Sequence, residues 1–195
     1  MVGTPVLVVT GPSGAGKGTL ERVLLERIPE LELAVSATTR ERRASESDGR
    51  EYWFISPGKF RERVENGEFL EWVTYVSGNR YGTLRSEIDR IRGEGKVPLL
   101  DLETDGAIHV RDSVPGSVTV FVDAPTVAEL ERRLRERATE SSGEVEDRVR
   151  LAVEQRKQAG EFDYVVVNDE VERAAGELEE IVRRELERAG TMSPR

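Results

Sequence analysis

The chain has 195 residues, 37% of them hydrophobic, enough to bury the core of one compact domain. Its formal net charge of −9 opposes the gathering of a polynucleotide backbone, and the absence of cysteine excludes disulfides and thiolate metal sites. With His109 as the single histidine, any bound metal must be held by oxygen. No apolar run approaches the length of a membrane span, and the opening MVGTPVLVVTGPSG lacks a charged n-region and a cleavage site, which predicts a soluble, cytoplasmic chain without membrane contact.

In chain order, Val6 to Val9 is an apolar, β-branched run that reads as a strand buried on both faces, and Leu20 to Ile28 reads as a helix. Residues 36–82 are rich in Arg, Gly and aromatics, with short β-like pieces at Tyr52 to Ile55 and Phe69 to Tyr75, as an inserted lobe would be. Val97 to Leu102, Val118 to Val122 and Tyr164 to Val167 are further buried-strand candidates, each followed by a polar turn and a helical pattern. Residues 126–160 form two charged helical stretches broken at Ser141, Ser142 and Gly143, a composition that suits either a lid or a plain helical hairpin. From Val171 a Glu/Arg helix closes the chain. Strand alternating with helix predicts a parallel α/β sheet.

The most specific local pattern is Gly11-Pro12-Ser13-Gly14-Ala15-Gly16-Lys17-Gly18-Thr19, set between the first strand and the first helix. Glycines at 11, 14 and 16 allow the backbone to turn its N–H groups inward, and the positive end of the following helix adds attraction for phosphate. Lys17 supplies a point charge for β- and γ-phosphates. Because Gly18 follows the lysine, the hydroxyl expected to meet magnesium moves to Thr19. Many activities share such a loop, so the acceptor must be sought elsewhere.

Four downstream segments narrow the choice: Ser36-Ala37-Thr38-Thr39-Arg40-Glu41-Arg42-Arg43, Asp48-Gly49-Arg50-Glu51-Tyr52-Trp53-Phe54, Phe69-Leu70-Glu71-Trp72 and Ser77-Gly78-Asn79-Arg80-Tyr81-Gly82-Thr83. With the phosphate loop and Val165-Val166-Val167-Asn168-Asp169, they resemble guanylate kinases in the family's own order over most of the chain. The resemblance implies a P-loop NTPase-type parallel sheet flanked by helices, with core segments 1–35, 84–125 and 160–190, a GMP-binding lobe at 36–83 and a helical lid at 126–159. It implies transfer of the ATP γ-phosphoryl group to GMP or dGMP with Mg²⁺, by a monomer or homodimer.

Residue by residue, the resemblance implies that Arg40, Arg43, Tyr52 and Tyr81 hold the GMP phosphate and that Ser36, Glu71, Thr83 and Glu103 face the guanine. Guanine offers adjacent N1–H and N2–H donors that a carboxylate accepts as a pair, whereas adenine has a lone pair at N1. Arg133, Arg137 and Arg148 align with the lid arginines, and Asn168 with an Asn near the ATP base. Their i,i+4 partners, such as Glu129 for Arg133, also suit exposed helix pairs; Arg137 has Arg133 four residues before it, not an acid. Asp101, at a strand end, can order magnesium and its waters or cap the local backbone. Trp53 and Trp72 read as packing residues. Three segments depart from the family pattern, at four positions: Arg42 stands for proline, Arg80 for tyrosine, and Asp101-Leu102-Glu103-Thr104-Asp105-Gly106 carries Glu103 for an aspartate and Asp105 for a glutamine. A non-catalytic interaction module and a kinase with a sugar phosphate acceptor are the alternative functions.

Overall fold

A computed structural model of the chain describes residues 4–75, 77–137 and 142–191, except for the side chains of Arg137 and of residues 142–145. Every residue of β1 (Leu7–Thr10) is buried, because both faces of this strand are covered. Leu7 and Val9 join a cluster with Leu20 and Leu24 of α1 (Lys17–Arg27) and with Leu178, Ile181 and Val182 of α7 (Val171–Arg188). Val8 points the other way, toward Leu100 and toward Ala107 and Val110 of α4 (Thr104–Ser113). The period of two along a strand divides the core into two layers, one on each face of the sheet.

That sheet is wholly parallel, in the order β2 (Leu31–Leu33), β7 (Val97–Asp101), β1, β8 (Val118–Asp123), β9 (Tyr164–Val167). β1 is central and is flanked by β7 and β8, so the loop after it opens at the carboxyl edge where ligands enter such sheets. One expectation needs correction. Tyr164–Val167 is not covered on both faces: β9 is an edge strand, Val166 is buried against the α7 layer, and Val165 and Val167 on the opposite face are 43% and 38% exposed.

A second sheet, in the order β4 (Trp53–Phe54), β3 (Ala37–Thr38), β6 (Arg80–Leu84), β5 (Phe69–Thr74), stands beside the first. It holds a helix the β-like pieces did not predict, α2 (Pro57–Glu65), whose start is marked by proline at its first position and by the Ser56 hydroxyl accepting from the Lys59 amide. Ala37, Phe60, Phe69 and Leu84 form its small core, with Trp53 packed alongside and Phe60 stacked on Phe69 at 4.4 Å. Trp72 is 44% exposed and lies under the Arg80 guanidinium, so it is not a core residue. β6 runs directly into α3 (Arg85–Gly93), which returns the chain to the large sheet. α5 (Val127–Arg137) and α6 (Ser142–Arg156) pair with each other and lead through a 3₁₀ turn at Ala159–Glu161 into β9. Among the described residues no helix is long and apolar enough to cross a membrane.

Phe60 is fully buried in a cluster of only four buried residues, which has little room to close a hole. Phe60→Ala is expected to lower the unfolding free energy by about 3–5 kcal/mol, read by urea denaturation; a loss below about 1 kcal/mol would show that the second sheet does not depend on this cluster.

Candidate functional site

The loop between β1 and α1 is shaped by backbone that only glycine adopts freely. Gly11 has φ +136° and a Cβ there would fall 2.0 Å from the Val122 carbonyl oxygen; Gly16, at φ +90°, would place one 2.4 Å from Nδ2 of Asn168. Gly16 caps α1 and no acidic residue stands in the helix's first turn. The first amides of α1 are therefore directed at the concave side of the loop without a competing anion of their own. Lys17 folds over this concavity, donating to the Gly11 carbonyl at 2.8 Å, with its Nζ 4.0 Å from Asp101 Oδ1. The register that pairs Val9 with Asp101 brings that carboxylate to the loop. α4 takes Glu103, not Asp101, as its N-cap residue and uses no side chain as a cap, which leaves the Asp101 carboxylate directed to the cleft. Desolvation between the cleft walls raises Asp101 above the ordinary carboxylate range, and Lys17 pulls it back.

Facing the loop is a cavity of about 290 Å³ lined by Lys17, Asp101, Glu103, Ser36, Tyr52, Glu71, Tyr75 and Tyr81. Glu71 is 4% exposed and ends a run of three buried residues, which strict alternation along a strand does not produce. The cause is a register shift between Phe69 and Glu71 in the β5–β6 pairing, after which Phe69, Leu70 and Glu71 are all buried. Glu71 Oε1 accepts from the amide of Thr83, itself buried, at 2.8 Å, and Oε2 sits where a Cβ on Gly106 would come within 2.9 Å. Burial raises the Glu71 carboxyl, and the Thr83 amide opposes the shift.

Tyr52 and Tyr81 meet edge to face at 5.7 Å, and the Arg40 guanidinium lies over the Tyr52 ring at 5.4 Å. Arg40 is held in a bidentate pair by Glu46, at 2.7 and 3.0 Å. Glu46 also accepts the Arg43 amide, and Arg42, at the proline position, donates to the Glu46 carbonyl. The pairing holds Glu46 below the ordinary carboxylate range and Arg40 above its own. The loop that follows β3 is thus organised around one acid that the sequence did not single out.

The helical pair reaches the loop from the other side. Arg148 Nη2 donates to the Ser13 hydroxyl at 3.0 Å. Arg133 keeps its i,i+4 partner Glu129 at 2.7 Å and also donates to the carbonyls of Asn168 and Ala15, at 2.9 and 3.3 Å. Asn168, 3% exposed, donates Nδ2 to Ala15 at 2.8 Å, and its Oδ1 is buried without a hydrogen-bond partner. A second cavity of about 260 Å³ opens here, lined by Gly14, Gly16, Thr19, Arg133, Glu136, Asn168 and Val171. The side chain of Arg137 lies outside the described residues.

The structure therefore brings Lys17, Ser36, Tyr52, Glu71, Tyr81, Asp101 and Glu103 to one cavity, and Thr19, Arg133 and Asn168 to its neighbour. Four residues not singled out from the sequence join them: Tyr75, Gln155, Glu46 and Glu21. Tyr75 and Gln155 both donate to Glu103, at 2.9 and 2.8 Å. Glu21, one helical turn beyond Lys17, is 4% exposed, with Oε1 lacking a hydrogen-bond partner among the described residues. Its i,i+4 spacing from Lys17 was visible in the sequence, but its burial with Leu20 and Leu24 on α1 was not. Burial, the charge of Asp101 and the weaker opposing pull of Lys17 push Glu21 up to about 8.

A strand, a glycine loop and a helix on a parallel sheet, with a tyrosine–carboxylate cavity opposite the loop lysine, define a nucleotide-binding phosphotransferase of the P-loop class. A sequence profile of the family described as guanylate kinase matches residues 3–185. The chain is 46% identical over 179 residues to a guanylate kinase of Rubrobacter xylanophilus, covering 92% of this chain and 93% of that one. It is 43% identical to a guanylate kinase of Symbiobacterium thermophilum, over 94% of this chain and 86% of the relative. The crystal structure of guanylate kinase from Anaplasma phagocytophilum superposes with a TM-score of 0.74 at 28% identity, covering 95% and 87% of the two chains. This chain belongs to the guanylate kinase family.

Glu21 has a measurable consequence in the ligand-free protein. A carboxyl whose folded-state value is raised from 4.5 to about 8 binds its proton more tightly when folded, so its contribution to stability is complete below about pH 4.5 and is lost as pH rises through about 8. Tm is expected to fall between pH 6 and pH 9 by less in Glu21→Gln than in the wild type, measured by calorimetry; equal falls would place the acid in a solvated setting.

Proposed function

We infer that this chain transfers the γ-phosphoryl group of ATP to GMP or dGMP, giving ADP and the guanosine diphosphate. The observation that carries the reading is a single cavity lined by the phosphate-loop lysine together with Glu71, Glu103 and three tyrosines, Tyr52, Tyr75 and Tyr81. A phosphoryl transfer needs donor and acceptor in line and charge neutralised between them, with little covalent chemistry from the protein.

In this account the loop amides of residues 11–19 and the Lys17 ammonium hold the β- and γ-phosphates, and the cavity beside Asn168 takes the donor base. Arg40, Arg43, Tyr52 and Tyr81 hold the GMP phosphate. Arg40 is already oriented by Glu46 and stacked on Tyr52, so little ordering remains to be done when an anion arrives. Ser36, Glu71, Thr83 and Glu103 face the guanine. A GMP phosphate oxygen attacks the γ-phosphorus while the bond to the bridging β–γ oxygen breaks, and the electron pair leaves with ADP. Arg148, already in contact with Ser13 of the loop, is placed to meet charge on the moving group, a role that the family resemblance also gives to Arg137. Arg133 braces the loop through the Ala15 and Asn168 carbonyls in addition to that work.

Magnesium fits this site: it keeps most of its waters, takes phosphate oxygens, and needs only one or two protein oxygens, which the Thr19 hydroxyl and the Asp101 carboxylate would supply. When bound, it neutralises charge on the phosphates. Among the described residues there is no cluster of three acidic or histidine side chains for a self-sufficient metal cage, in keeping with a metal that arrives with its nucleotide. The sugar phosphate alternative is disfavoured by a buried Glu71, for which a sugar has no paired N–H donors.

A coupled assay comparing GMP, AMP, CMP and UMP tests the reading, which no turnover of GMP would overturn. Glu71→Gln places an amide N–H against a donor edge and is expected to reduce kcat/KM for GMP by about 5- to 150-fold, corresponding to about 1–3 kcal/mol, with a smaller effect on AMP. Because the Glu71 carboxyl titrates above the ordinary range, it protonates early on acidification; KM for GMP is expected to rise as pH falls from neutrality toward 5, and to do so less in Glu71→Gln.

A further inference from the structure

Glu103 is where three parts of the molecule meet. It lies two residues past the end of β7 and begins α4, but its carboxylate is turned into the cleft and does not cap the helix. There Oε1 accepts from the Tyr75 hydroxyl at 2.9 Å, and Oε2 accepts from Nε2 of Gln155 on α6 at 2.8 Å. Tyr75 stands one residue past β5, with its ring edge to face on Tyr81 at 4.8 Å, so the phenol extends the Tyr52–Tyr81 pair toward Glu103. Tyr75 and Glu103 line the 290 Å³ cavity with Glu71, and together with Gln155 they also line a separate cavity of about 550 Å³ on their far side. The chain of contacts from Tyr75 through Glu103 to Gln155 is thus a wall between two cavities.

A glutamate at this position has one more rotatable bond than the aspartate usual in the family, and a carboxylate reads a pair of N–H groups only if its plane is fixed. Donors on both oxygens, one from each side of the cleft, fix that plane. They also leave lone pairs for further bonds, since each carboxylate oxygen accepts more than one. Tyr75 is 41% exposed as a residue, but partial desolvation of its hydroxyl and the adjacent Glu103 charge raise the phenol above its ordinary range, so it remains a donor.

We propose that Tyr75 is a positioning residue for acceptor specificity, its hydroxyl aiming the Glu103 carboxylate, against Gln155 on the other oxygen, so that Glu103 and Glu71 together read the donor edge of the purine. The proposal rests on the guanylate kinase reading above, and the chain's longer acid is workable because this tyrosine restrains it.

Tyr75→Phe keeps the ring on Tyr81 and removes only the hydroxyl. KM for GMP is expected to rise about tenfold, the size of losing one hydrogen bond to a charged group, while kcat and KM for ATP are unchanged. Inosine monophosphate lacks the exocyclic amine, so its KM should rise less and the preference for GMP over it should shrink. In a Glu103→Ala background, Tyr75→Phe should add nothing further. An unchanged KM for GMP in Tyr75→Phe overturns the proposal, as do equal rises for the two acceptors, additive effects in the double variant, or a fall in Tm with all kinetic parameters worsening together. Absence of GMP turnover by the wild type would remove the functional reading and the proposal with it; an active wild type matched by an unaltered Tyr75→Phe removes the proposal alone.

Discussion

The parallel register of β1 with β7 is the constraint on which both halves of the cleft depend. It sets Val9 opposite Asp101, so the loop that follows β1 and the Asp101–Glu103 segment that follows β7 emerge side by side at the same edge. Lys17 and Asp101 then face one another across 4.0 Å, and Glu103 is delivered a short step further along. The register is held by apolar burial on both faces of β1, not by any group that touches a ligand. Chemistry and core are therefore separable: the strands determine where the polar groups stand, and the loops determine what they do.

The second sheet works by a different economy. It is small, with four fully buried apolar side chains, and its polar interior is built from local irregularities. A register shift in β5 accompanies the burial of three consecutive residues that ends with Glu71, and Glu46 holds the Arg40 guanidinium over the Tyr52 ring. Burying an ionisable carboxylate in so slight a core is unfavourable unless hydrogen bonds accompany it, and the Thr83 amide supplies one. What remains is a polar cavity wall with its charges oriented by hydrogen bonds and part of their desolvation already complete.

How much of this was legible in the sequence follows from how local each feature is. The loop from Gly11 to Thr19 could be read directly, since strand, glycines and helix are consecutive and each carries its own conformational reason. The parallel sheet could be read from the spacing of Val6 to Val9, Val97 to Leu102 and Val118 to Val122. The exposure of Val165 and Val167 could not, because an edge strand and a central strand have the same apolar composition until the sheet order is known. Glu71 was reached through a resemblance to the family and not through its burial, which depends on a strand irregularity with no residue pattern of its own. Tyr75 and Gln155 were missed because their one distinguishing feature is a shared hydrogen-bond partner, 28 and 52 residues away in the chain. Glu21 was within reach: an acid one turn after the loop lysine, in the midst of leucines, is an anomaly of helical periodicity.

Gly106 sits in the first turn of α4 with Glu71 Oε2 pressed into the space a methyl group would occupy. The two residues lie 35 positions apart and share no sequence motif, yet they share one space: alanine at 106 would push the Glu71 carboxylate off its place beside the Thr83 amide. The dependence runs one way, since a shorter side chain at 71 leaves Gly106 untouched, and the helix start sets the position of the acid by leaving room for it.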